Sequence, residues 1–116
     1  MPTAEELYDL AVDHVAEGRL DEAIATYKEA LAIDPDFTDA ILVLAMAYAD
    51  NKMFDEAIEQ GKRLVELTPD DTLAHTSLSM FYQQKGLIAE AEQIAAKART
   101  LGWKRELRDN RNPRKD

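Results

Sequence analysis

The chain has no cysteine, so disulfide scaffolds and thiolate metal sites are closed to it. Glycine and proline number four each, too few for a loop-rich or collagen-like chain. Long apolar runs are missing too. The longest, residues 40–49, is half of the roughly 20 residues that cross a bilayer. The opening Met1-Pro2-Thr3-Ala4-Glu5-Glu6 has neither a basic leader nor an apolar h-region, so no signal peptide is expected. Bases are scarce: 14 stand against 23 acids, a formal net charge of −9. What is present is 116 residues, 46% of them hydrophobic, enough for one domain with a core. A soluble, cytoplasmic domain is expected.

Charge is unevenly placed. Residues 1–37 hold ten acids and two bases, and residues 38–71 hold eight and three. Residues 72–116 reverse the sign with five acids and nine bases, six of which fall in the last thirteen residues. Phosphate binding needs a concentrated positive surface, so an acidic body argues against nucleic acid. The basic end could touch RNA, an acidic lipid surface or an acidic protein. A solvated terminus is the expected state, and neither nucleic acid nor membrane is expected as a partner.

The sequence superimposes on itself at an interval of 34 residues. Leu10, Leu44 and Leu78 coincide; so do Glu22, Glu56 and Glu90, and Ala23, Ala57 and Ala91. His14, Tyr48 and Tyr82 share a slot, and Pro35 and Pro69 close the first two units. Each unit reads as two helices. In the first, Leu7, Leu10, Ala11 and His14 fall at i, i+3, i+4 and i+7, which predicts a helix over 4–17. Thr3 and Glu6 form a capping box at its start, and Gly18 ends it. Leu20, Ala23, Ile24, Tyr27, Ala30 and Leu31 carry a second helix to Ile33, where Pro35 stops it. The later units predict helices over 38–51, 54–67, 72–85 and 88–101. Small residues in matching slots, Ala11/Ala45/Ser79 and Ala23/Ala57/Ala91, suit closely approaching helices. Gly61, inside a helix, is expected to mark another close approach.

The period, the run Gly18-Arg19-Leu20-Asp21-Glu22-Ala23-Ile24 and the ending Ala30-Leu31-Ala32-Ile33-Asp34-Pro35 resemble the tetratricopeptide repeat (TPR) family over residues 4–101. The resemblance implies an all-α, right-handed α-solenoid of three helix pairs. The first helices of the pairs would line a concave groove that holds a partner's peptide or helix. Departures are His75 in a slot often held by Trp, Lys52 in place of the turn glycine, and Trp103 where a third proline would fall. One domain over 4–112 is predicted, with repeats 4–37, 38–71 and 72–103, a capping segment 103–112, and a basic tail 113–116. Glu92 and Arg99 replace the apolar pairs Ile24/Leu31 and Ile58/Val65, so the stack should end there. Trp103 and Leu107, at i,i+4, predict a short capping helix after Gly102; otherwise Trp103 folds over the last turn.

Chemistry is thin. His14 and His75 fall in packing slots, and no HExxH, phosphate-cradling glycine loop, GxSxG or EF-hand is present. No enzyme, cofactor or metal site is expected.

Residues 40–49 are apolar throughout, yet the core side needs only Ile41, Leu44, Ala45 and Tyr48. Leu42, Met46 and Ala49 lie on the opposite stripe, matched by Tyr8, Val12 and Val15 in the first repeat and Thr76, Met80 and Gln83 in the third. A helix apolar all round should be covered all round. Either a partner covers this stripe or neighbouring helices do. By resemblance these positions face the groove, rimmed by Glu5, Asp9, Asp39 and Asp50. Relatives that grip a C-terminal carboxylate use Lys, Asn and Arg on this face. Here the matching places hold Tyr8, Val12, Val43, Leu73 and Ser77, so that clamp is absent. The reading is a protein-interaction module, an adaptor or scaffold, for an apolar segment with basic flanks. Self-assembly into homo-oligomers, through the groove and the 103–111 segment or through head-to-tail charge, is the alternative.

Overall fold

Glu6 N–H donates to Thr3 Oγ1 and Thr3 N–H donates to Glu6 Oε1, each at 3.1 Å, and the helix started by this capping box, α1, runs Ala4–Ala16. The computed structural model describes residues 1–111. After α1 come α2 (Leu20–Ile33), α3 (Thr38–Asp50), α4 (Phe54–Leu67), α5 (Thr72–Lys85) and α6 (Ile88–Arg111). No strand occurs among the described residues. The architecture is an all-α helical repeat of three pairs, α1 on α2, α3 on α4 and α5 on α6, joined through α2–α3 and α4–α5 contacts.

The turn within each pair is closed the same way. Arg19 N–H donates to His14 O (2.8 Å), Met53 N–H to Tyr48 O (2.8 Å) and Leu87 N–H to Tyr82 O (2.9 Å). This six-to-one bond needs a left-handed residue, supplied by Gly18 (φ 78°) and Gly86 (φ 90°). In the middle turn Lys52 takes that conformation (φ 59°) despite its side chain. Equivalent polar links join successive turns: Asn51 donates to Asp21 (3.3 Å), and Lys85 pairs with Asp55.

The small slots meet as expected. Ala11, Ala23, Ala45 and Ala57 are fully buried, and the Ser79 hydroxyl donates to Ala91 O at 2.8 Å. Gly61 is buried against Leu78 and Phe81 on α5. Leu10, however, is exposed, whereas Leu44 and Leu78 are buried. In α3 and α5 that side is covered by the pair before it; α1 has none. Two further slots of α1 carry the mark of an outer face. Glu6 and Asp13 stand where Ala40/Ala47 and Ala74/Phe81 are buried. At the other end Glu92 and Arg99 are exposed in the places of Ile24/Leu31 and Ile58/Val65. Burying one such apolar side chain is worth about 1.5–3 kcal/mol. The interior joints therefore hold the stack together, and both outer faces carry charged residues in slots that are apolar inside.

The capping segment is helical, but it is not a separate helix. α6 is continuous for 24 residues and passes straight through Gly102. The Arg105 guanidinium reaches back to Thr72 Oγ1 at the start of α5 (3.3 Å). Trp103 and Leu107 stand two residues to either side, about 200° around the helix, and so point away from α5. They are 64% and 44% exposed, and Trp103 does not fold over the last turn. An unbroken helix cannot rotate that stripe inward. Residue 112 and the basic tail 113–116 lie outside the described residues.

Candidate peptide-binding groove

The candidate surface is the outward side of α1, α3 and α5, the first helix of each pair. Val12, Met46 and Met80 occupy one slot at 34-residue spacing and are 41%, 45% and 40% exposed. Val15 is exposed beside Val12, and Thr76 and Gln83 are exposed on α5. Leu42 and Val43 are half-buried. Tyr8 is also half-buried, because its ring stacks on Phe37 (centroids 5.3 Å apart, planes at 28°) and meets Tyr27 edge-on (5.9 Å, 62°). These contacts hold Tyr8 in one orientation.

Ala49 departs from the sequence reading. It is 7% exposed and belongs to the main core cluster, not to the outward stripe. Its side chain is too short to rise past the helices packed around α3, so seven of the thirteen α3 residues are buried. Ser77 is buried as well. Leu73, in the slot of Glu5 and Asp39, is a large exposed apolar residue and extends the stripe along α5. The sequence contained that signal, an apolar residue in an otherwise acidic slot.

Glu5, Asp9, Asp39 and Asp50 are all exposed. The ion pairs among the described residues are Arg19–Glu17, Arg63–Asp36 and Lys85–Asp55, and none uses these four carboxylates. Four exposed carboxylates therefore leave a negative field beside the first two repeats.

The histidines pack as expected, but each has a buried ring nitrogen without a partner. His75 Nε2 lies 2.8 Å from Pro69 O, which can only accept, so Nε2 carries the proton. The other nitrogen of His75, and Nδ1 of His14, are buried without a partner. Burial is also the main cause that raises the Tyr27 and Tyr48 phenols above their ordinary value. Tyr8 adds to it at Tyr27, and Glu56 and Glu59 add to it at Tyr48. Among the described residues no group of three or more His, Asp or Glu is placed to hold a metal ion. No described helix is long and apolar enough to cross a membrane.

Three helix pairs in 34-residue register, with Val12, Met46 and Met80 exposed at one slot of the first helices, define a helical-repeat protein. The tetratricopeptide repeat family model matches residues 14–80, more than half of the sequence, and the chain belongs to that family. Solved structures share the fold. A crystal structure of MamA is 27% identical with a TM-score of 0.84, over 90% of this chain and 61% of that one. The chain thus spans about three fifths of MamA's length in that structure. YrrB, described as a TPR protein with an unusual peptide-binding site, is 23% identical with a TM-score of 0.81, over 87% of this chain and 52% of that one. The second TPR of Spaghetti (RPAP3), bound to the HSP90 peptide SRMEEVD, is 22% identical with a TM-score of 0.77, over 85% and 92%. No curated protein matches the sequence.

Proposed function

We propose that the chain is a non-enzymatic protein-interaction module, an adaptor or scaffold, that holds an amphipathic helix or extended peptide along α1, α3 and α5. The observation that carries this reading is the slot of Val12, Met46 and Met80. Three large apolar side chains stand exposed in register on the first helices, as only Ile33 and Leu67 do at the ends of the second helices α2 and α4. Two of the three are methionines, whose flexible thioethers adapt to varied ligand shapes. The unpaired acids at Glu5, Asp9, Asp39 and Asp50 select basic flanks on the ligand. Peptide binding by the similarly folded RPAP3 and YrrB repeats supports the mode. It does not extend to the ligand, because an acidic peptide such as SRMEEVD would meet carboxylates here and no clamp of basic residues.

The test is titration with basic amphipathic peptides followed by NMR. Shifts should centre on Tyr8, Leu42, Met46 and Met80, and SRMEEVD should produce none. Met46→Glu should weaken binding at least about tenfold, equivalent to about 1.4 kcal/mol, with helicity and melting temperature nearly unchanged. Shifts confined to α2, α4 and α6, or unaltered affinity in Met46→Glu, would sink the proposal.

A further inference from the structure

The far end of α6 has the chemistry that the groove lacks a partner for. Trp103 and Leu107 form an exposed i,i+4 apolar pair on a stretch carrying Lys104, Arg105 and Arg108. From Gly102 to Arg111 the helix extends about 15 Å beyond the part that pairs with α5. The Arg105–Thr72 contact fixes its direction, and the stripe of Trp103 and Leu107 faces outward. Because α6 has no break, this segment cannot fold back onto its own first-helix face. A second molecule can receive it.

We infer that the groove is occupied by the α6 extension of a second copy of this chain, with Trp103 and Leu107 seated over Val12, Met46 and Met80 and the flanking Lys104 and Arg108 facing Glu5, Asp9, Asp39 and Asp50, while Arg105 stays on its own Thr72. The inference rests on the groove reading above and names its partner. Charge complementarity selects this occupant. The donor segment 102–111 carries four bases against two acids, Glu106 and Asp109, and the receiving carboxylates lie within the repeats where acids outnumber bases eighteen to five. The contact is head-to-tail, so it closes into a ring or continues as an open array. One Trp and one Leu bury only a few hundred Å² in all, below the roughly 1,200 Å² of a stable interface. Association is therefore weak, concentration-dependent and sensitive to salt.

Trp103 is the sole tryptophan, so its fluorescence reports this segment alone. As the full chain is concentrated at low salt, light scattering should show growing mass and the emission should move to the blue. Added salt should reverse both changes. The exposed pair can be changed without touching the core, as Trp103→Ser with Leu107→Ser, and Met46→Glu disables the receiving side. Each variant alone should stay monomeric. A one-to-one mixture should form a heterodimer and stop there, because it contains one intact groove and one intact α6 extension. A wild-type chain that stays monomeric at about 1 mM with unshifted emission would overturn the inference while basic peptides still shift Met46. Assembly that Met46→Glu leaves unchanged would overturn both the inference and the groove as its seat.

Discussion

A Cβ built on Gly61 would stand 3.0 Å from Leu78 Cδ1, closer than ordinary van der Waals contact. Leu78 is itself buried, and densely packed interiors yield little to an added methyl group. Gly102 is the contrasting case, a glycine in α6 with nothing within 4 Å of its would-be Cβ. Glycine costs a helix about 1 kcal/mol relative to alanine at both sites, but overpacking of about 1–3 kcal/mol opposes the gain only at Gly61. Gly61→Ala is expected to destabilise by about 1 kcal/mol, and Gly102→Ala to stabilise by up to about 1 kcal/mol. Urea denaturation distinguishes them. Equal gains at the two sites would mean that α4 and α5 approach less closely than described.

Lys52 offers a correction in the opposite sense. Its φ of 59° is strained for a side chain, and Gly18 and Gly86 hold the same place in the other two turns. Lys52→Gly removes a penalty of about 1–2 kcal/mol and adds some freedom to the unfolded chain. A net gain of about 0.5–1 kcal/mol is expected, visible as a rise of several degrees in melting temperature. A fall would show that the turn tolerates Lys52 without strain.

Tyr27 and Tyr48 make stability depend on alkaline pH. Burial raises both phenols above their ordinary value of 10.0. Between the unfolded and folded values the native chain keeps a proton that the unfolded chain has lost. Stability is therefore intact below about pH 10 and falls as pH rises through the folded values. Denaturant midpoints measured from about pH 9 to about pH 11 should fall less steeply in the Tyr27→Phe, Tyr48→Phe double variant. An unchanged slope would exclude these phenols as the cause.

Most of the fold is legible in the sequence because each slot obeys local rules. A capping box starts α1, positive-φ residues close the turns, and 34-residue spacing repeats the packing. The helix ends are placed within a residue, apart from the last. Three features depend on context that spacing cannot supply. A break at Gly102 is a fair expectation from Gly18 and Gly86, but those glycines are left-handed and Gly102 is not. The exposure of Leu10 follows from the missing neighbour of α1. Ala49 satisfies the periodicity of either face, and the helices around α3 bury it. The outward slots Val12, Met46 and Met80 were readable only through register, and Leu73 through the family resemblance that placed it on the same face.

The charged slots on both outer faces of the stack leave the α3–α4 pair as the one packed against a neighbouring pair on both sides. Its amides can reach solvent only when the whole cooperative unit opens, whereas α1 and the end of α6 can fray by themselves. Hydrogen exchange should therefore be slowest at Leu44 and Leu64 and fastest over residues 103–111. Uniform protection from end to end would mean that the three repeats melt as an indivisible block.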